Sequence, residues 1–282
     1  MNSLQEKLFD LVARAATDLP EDVESAIRRA RDGEEPGSSS RGALETILQN
    51  AALARRNKAP ICQDTGMLNF LVEAAPELDY FTFKTAAENA IARATELGVL
   101  RQNCVETLSG RNTGNNLGYG CPNIHWQPQS NGSKSRVSLI LKGGGSENVG
   151  IQYSLPDSKL GAGRDLEGVR RCVLDAVWQA QGKGCAPGVL AVCIGADRGG
   201  GYEECKKLLL RKIGERSEQP ELAALELRLI EECNALGIGC MGFGGKTTVL
   251  EVFLGARCRL PASYFVTVTY MCWCCRRHSI EL

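Results

Sequence analysis

The sequence predicts an α+β fold, because its two hydrophobic periodicities fall in different parts of the chain. Apart from one short run, the first hundred residues place apolar side chains at helical spacing. Further strand-like apolar runs begin only after residue 130, and no regular strand–helix–strand rhythm connects them. The expectation is one domain over 1–282: a helical part (1–100) packed on a mixed α/β region with a β-sheet core (101–282). A chain of 282 residues can bury a sizeable core.

Each element has a local reason. Leu4, Leu8, Leu11, Val12 and Ala15 are helix-spaced, and Ser3 with Glu6 could form a capping box. Pro20 suits a first helical position ahead of a helix over 21–32. A Pro/Gly/Ser loop over 33–40 follows. Leu44, Ile47, Leu48, Ala51 and Ala52 predict a helix over 43–58, which Pro60 stops. A short strand over 68–72 comes next. A helix over 85–97 ends at Gly98 and delivers Leu100 and Arg101. Strands are expected over 137–141 and 189–194, helices over 203–213 and 220–236, and strands over 247–254 and 264–270.

Composition excludes several classes. Lys plus Arg and Asp plus Glu balance at 33 each, so no net field favours nucleic acid or an anionic membrane. No apolar run approaches the roughly 20 residues needed to span a bilayer. The acidic, amphipathic N-terminus does not read as a signal peptide, so a cytoplasmic protein is expected. Thirteen cysteines then point to a reducing compartment rather than a disulfide framework. Paired Cys-x-x-Cys knuckles are missing, which argues against structural zinc. His125 and His278 are the only histidines.

Three stretches could carry chemistry. Pro60-Ile61-Cys62-Gln63-Asp64-Thr65-Gly66 sets a thiol, a carboxamide and a carboxylate on a tight loop between a helix and a strand. The plainer reading is a buried Cys beside a turn-forming Asp-Thr-Gly. Lys142-Gly143-Gly144-Gly145-Ser146 follows a strand and could expose successive N–H groups as an anion-binding concavity. Gly239-Cys240-Met241-Gly242-Phe243-Gly244-Gly245-Lys246-Thr247 nearly spells a phosphate-binding loop. Cys240 replaces its first required Gly, and a strand follows where a helix should.

Six blocks in order resemble the iron–sulfur hydro-lyases, namely class I fumarases and the alpha subunit of L-tartrate dehydratase. They are the heptapeptide at 60–66, Asn112-Thr113-Gly114-Asn115-Asn116, Lys142-Gly143-Gly144-Gly145-Ser146-Glu147-Asn148, Cys185-Ala186-Pro187, Gly244-Gly245-Lys246-Thr247-Thr248 and Tyr270-Met271-Cys272-Trp273. The resemblance implies that Cys62, Cys185 and Cys272 ligate a [4Fe-4S] cluster with one labile, non-cysteine-ligated iron. Such an open iron can act as a Lewis acid. Cys274 and Cys275 are expected not to ligate. The resemblance further implies Asp64 as acid/base, Gln63 orienting substrate, and Arg101, Gly144 and Gly145 binding a small dicarboxylate.

One departure stands out. The family usually carries a His before the Pro that leads to the third cluster Cys, and Cys258-Arg259-Leu260-Pro261-Ala262 has none. The chain ends nine residues after Trp273. The expectation is therefore an alpha subunit lacking the beta-type domain, completed by a separate beta subunit in a heterotetramer of two alpha and two beta chains. The implied reaction is reversible hydration of fumarate to malate. The alternatives are L-tartrate dehydration and an inactive cluster- or partner-binding homologue.

Overall fold

The computed structural model describes residues 3–130, 132 and 134–282. The chain runs α1 (Leu4–Thr17), α2 (Glu21–Gly33), α3 (Ser39–Asn57), β1 (Met67–Ala74), α4 (Tyr80–Glu96), β2 (Asn123–Pro128) and β3 (Arg136–Lys142). It continues through a five-residue α5 (Gly144–Asn148), β4 (Ile151–Ser154), α6 (Leu166–Ala180), β5 (Gly188–Gly195) and α7 (Arg198–Leu208). The last elements are α8 (Pro220–Ala235), β6 (Val249–Arg257), β7 (Phe265–Met271) and β8 (Arg276–Glu281). Helices and mixed sheets confirm the α+β class. The described residues divide into two compact units: 1–20, 49–144 and 274–282 in the first, 21–48 and 145–273 in the second.

The first unit holds a four-stranded sheet in the order β2-β1-β3-β8. β1 pairs parallel with β2 and antiparallel with β3, and β3 pairs antiparallel with β8. One face of this sheet carries Leu68, Phe70, Val72, Val137, Leu139 and Leu141, which pack against α1 and α4. The helix-spaced Leu8, Leu11, Val12 and Ala15 supply the α1 side. On α4, Ala87, Ala90 and Ala94 are small enough for close approach. Ser3 caps α1 by accepting the Glu6 N–H at 3.3 Å, and Asp79 caps α4 by accepting the Thr82 N–H at 2.8 Å. That cap starts α4 five residues before the sequence pattern suggests.

The second unit is layered around the sheet β4-β7-β5-β6. β5 is buried along its whole length, as a strand covered on both faces must be. Val266, Val268, Tyr270, Leu190 and Val192 face a core shared with α6 and α8. Thr267 and Thr269 alternate to the opposite face, where the Cys205 thiol of α7 donates to the Thr267 carbonyl at 3.4 Å. The outer edge of β6 is sealed by carboxylates: the Leu254 N–H donates to Glu226 at 2.8 Å, and Arg211 pairs with the same fully buried Glu226 at 2.7 Å. Among the described residues, no helix is long and apolar enough to cross a membrane.

Candidate functional site

In the first unit, the loop after α3 and the segment after α4 border one cleft of about 780 Å³. Gln63, Asp64, Arg101, Gln102 and Asn103 line it together with Pro60, Gly98 and Leu100. Three residues singled out from sequence, Gln63, Asp64 and Arg101, thus share one concave surface. Gln63 and Arg101 are exposed, and Asp64 and Cys62 are half-buried.

Hydrogen bonds between distant segments hold this arrangement. Asp64 accepts at Oδ1 from the Gly66 N–H (3.0 Å) and the Asn103 side-chain amide (2.7 Å), and at Oδ2 from the Gly144 N–H (2.7 Å). Its backbone carbonyl accepts from the buried Arg276 at 2.9 Å. Gly66 has φ of +78°, and a Cβ there would fall 2.5 Å from the Lys142 carbonyl, so only glycine lets the loop lie against the end of β3. Thr65 couples the loop to Arg101, its hydroxyl accepting the Arg101 N–H at 2.9 Å. Asn116 fixes the segment from behind, accepting the Asn103 N–H at 2.7 Å and donating to the Arg101 carbonyl at 2.8 Å.

The three sequence blocks of this unit therefore meet at Asp64 and Arg101. The Arg101 guanidinium has no ion pair or side-chain hydrogen bond among the described residues. An exposed, unpaired Arg fork beside a cleft is suited to a carboxylate. Sequence reasoning missed Asn103, Asn116 and Arg276. The Asn-rich block at 112–116 was a signal, but its role depends on contacts with residues up to 21 positions away.

The glycine run after β3 folds as the start of α5. Gly144 is turned to Asp64, while Gly145 belongs to the second unit, where a Cβ would meet the Lys183 carbonyl only at 3.7 Å.

In the second unit the remaining blocks surround Cys185. Cys185 is left-handed (φ +56°, ψ +61°), an uncommon state for a residue with a Cβ. Its carbonyl accepts the Trp273 N–H at 3.2 Å, which sets the Cys272 segment beside the Cys185 loop. The Ala186 carbonyl accepts the Met241 N–H at 2.9 Å, and the Gly188 N–H donates to the Thr248 carbonyl at 3.0 Å. Cys272, Cys274 and Cys275 lie between the end of β7 and the start of β8. Cys185 and Cys272 are half-buried; Cys274 and Cys275 are buried.

Five buried thiols are chemically quiet. Burial is the first cause that pushes Cys172, Cys193, Cys205, Cys233 and Cys240 up to about 12. The near-phosphate loop is already filled. Glu34, 3 % exposed, accepts the N–H groups of Lys246 (2.8 Å) and Thr247 (2.9 Å). A carboxylate of the chain itself occupies the concavity a phosphate would need.

Comparison with known proteins settles the family. The family model described as "Fumarate hydratase (Fumerase)" matches residues 5–281. The chain belongs to the fumarate hydratase (Fumerase) family. A Geobacillus stearothermophilus protein named "Putative fumarate hydratase class I" is 44% identical over all of this chain, and the chain spans 55% of that protein's length. A Methanocaldococcus jannaschii protein named "Putative L(+)-tartrate dehydratase subunit alpha" is 34% identical over 97% of this chain and 95% of its own length. The Escherichia coli K12 "L(+)-tartrate dehydratase subunit alpha" is 30% identical over 99% of this chain and 91% of its own.

Two of the three cysteines that the family resemblance implies for an iron–sulfur group suit that role. The Cys185 and Cys272 segments are tied together in one unit, and both thiols are reachable; Cys62, also half-buried, stands in the other unit. Among the described residues, no three His, Cys, Asp or Glu side chains group as ligands of a single metal ion. Thiolates that share a four-iron cluster bind different irons and stand farther apart than such a group.

Proposed function

We propose that this chain is the alpha-type component of a [4Fe-4S]-dependent hydro-lyase that reversibly hydrates fumarate to malate. The observation that carries the reading is the cleft in which Gln63, Asp64 and Arg101 converge. Cys62, Cys185 and Cys272 would hold the cluster, which when bound supplies a Lewis-acidic iron for a substrate oxygen. Arg101 clamps one carboxylate of the dicarboxylate in a bidentate fork. Gln63, exposed on the cleft wall, donates and accepts to orient the substrate. Asp64, held by Asn103, Gly66 and Gly144, exchanges the carbon-bound proton. Gly144 and Gly145 border the substrate.

A dicarboxylate needs both charges neutralised, and Arg101 answers to one. A second polypeptide or domain supplies the rest; the relatives named alpha subunits support a beta partner. The 44% identity to the Geobacillus protein favours fumarate, whereas the alpha-subunit relatives keep L-tartrate as the second substrate reading.

Anaerobic assay of the reconstituted chain, alone and with its partner, against fumarate, malate and both tartrates tests this. Fumarate hydration that requires the partner is expected. Preferential dehydration of L-tartrate would replace the substrate. A full cluster with no turnover of any of the four would leave a binding protein.

A further inference from the structure

The buried core of the second unit contains a polar atom that packing alone does not explain. Tyr270 is the last residue but one of β7 and is 2 % exposed. Its hydroxyl is buried and meets no hydrogen-bond partner among the described residues. Leaving a hydroxyl so placed costs about 1–3 kcal/mol, a cost phenylalanine would avoid in the same space.

The surroundings say what the hydroxyl is for. Its ring lies against the two glycines that bracket Cys185. A Cβ at Gly184 would fall 2.6 Å from Cε1, and one at Gly188 would fall 2.7 Å from the hydroxyl oxygen. Tyr270 thus fills the concavity of the loop that presents Cys185, and Cys272 follows two residues along its own strand. The Trp273 N–H to Cys185 carbonyl bond closes the same ring of backbone. Cys185, Cys233, Cys240 and Cys272 are the thiols that neighbour the phenol. Cys233 and Cys240 are fully buried, and a neutral thiol is a weak acceptor. Cys185 and Cys272 are the half-buried pair assigned to the cluster, and an iron-bound thiolate accepts hydrogen bonds well.

We propose that the Tyr270 hydroxyl donates a hydrogen bond to a cluster-ligand sulfur, that of Cys185 or Cys272, and thereby raises the reduction potential of the centre. The proposal rests on the cluster reading above. Hydrogen bonds to ligand sulfur are among the levers that set iron–sulfur potentials, because they stabilise the more negative reduced state. Tyr270 is here a positioning residue acting through its ligand, not a group that touches substrate.

The test is Tyr270→Phe in the full chain, reconstituted anaerobically beside the wild type and Cys185→Ser. Midpoint potential is read by redox titration, and iron–sulfur stretching frequencies are compared in light and heavy water. The expected result is a cluster in both wild type and Tyr270→Phe, with a more negative potential and loss of the heavy-water shift in the variant. The iron-free variant should melt at the wild-type temperature or above it. Identical potentials and spectra would overturn the proposal. So would a lower melting temperature of the iron-free variant, which would mean the hydroxyl has a protein partner. No cluster in wild type, or a wild-type spectrum in Cys185→Ser, would instead bring down the ligand assignment, and this inference with it.

Discussion

Glu34 and Asp64 are both carboxylates held by backbone N–H groups of glycine-rich segments, yet their settings differ. Glu34 is 3 % exposed and takes the Lys246 and Thr247 N–H groups. Asp64 is half-buried and takes the Gly66 and Gly144 N–H groups, but it also borders a cleft of about 780 Å³ with Gln63 and Arg101. The first carboxylate closes its concavity and has no access to a ligand. The second is anchored on one side and open on the other. An anion-binding nest is therefore a structural clip or a working group depending on what lies on its far side. The near-phosphate motif around Lys246 falls on the clip side.

The sharpest way to break this comparison is to exchange the consequences of the two side chains. Asp64→Asn in the reconstituted, partnered enzyme should cut turnover by about 10²-fold or more, the usual scale for a lost acid/base group. Its unfolding midpoint should stay near wild type, since a carboxamide oxygen in the place of Oδ1 keeps two of the three donors, Gly66 and Asn103. Near-wild-type turnover would make Asp64 a clip like Glu34.

Glu34→Ala should do the reverse. Removing the acceptor strands the part-buried N–H groups of Lys246 and Thr247, so a loss of about 1–3 kcal/mol is expected in urea unfolding. Turnover per folded molecule should be unchanged. A variant that unfolds normally but fails in catalysis would move this loop into the active site.

Periodicity explains which parts of this contrast were legible from sequence. α1, α2, α8, β1, β3, β5 and β7 carry unbroken helical or strand patterns, and each was expected close to its observed bounds. β2 and β8 were not, because Asn123-Ile124-His125-Trp126 shows alternation over only two apolar residues and β8, opening on Arg276-Arg277-His278, has Ile280 alone. β4, with four residues, is too short to show any. α7 begins five residues earlier than expected because Asp197 caps it, accepting the Gly200 N–H at 2.6 Å, ahead of three glycines that disguise the helix. At the site, Gln63, Asp64 and Arg101 were expected through family resemblance. Asn103 and Asn116 were not assigned roles, since their bonds to Asp64 and Arg101 cross 39 and 15 positions of sequence. Glu34 gave no sign of its destination 212 residues away.

A smaller effect should separate charge from geometry within the cleft. Arg101→Lys keeps the charge but loses the planar two-pronged fork, so KM for the dicarboxylate should rise about tenfold with a lesser change in kcat. Its backbone is fixed independently by Thr65 and Asn116, so the fold should be unaffected. An unchanged KM would mean that the substrate carboxylate sits elsewhere.

The smallest expected effect is on pH dependence, and it belongs to the first unit's sheet rather than to either loop. His278 on β8 approaches the Asp18 carbonyl at 3.1 Å through Nε2. Burial is the largest cause lowering its pKa; Arg14 and Arg277 act in the same direction, and the Asp18 carbonyl and carboxylate oppose them. The unfolded chain, with an ordinary value near 6.5, therefore takes up a proton that the folded chain refuses. The stability from this residue is complete above about pH 6.5 and is lost as pH falls toward the lowered folded value. His278→Gln keeps a side-chain donor for the Asp18 carbonyl and cannot titrate. Its unfolding free energy should fall less steeply than the wild type's between about pH 6.5 and 5, where the acidic side chains of the protein are still largely ionised. Parallel slopes for the two proteins would show that His278 charges equally well in the folded state, and that burial in this sheet leaves it open to water.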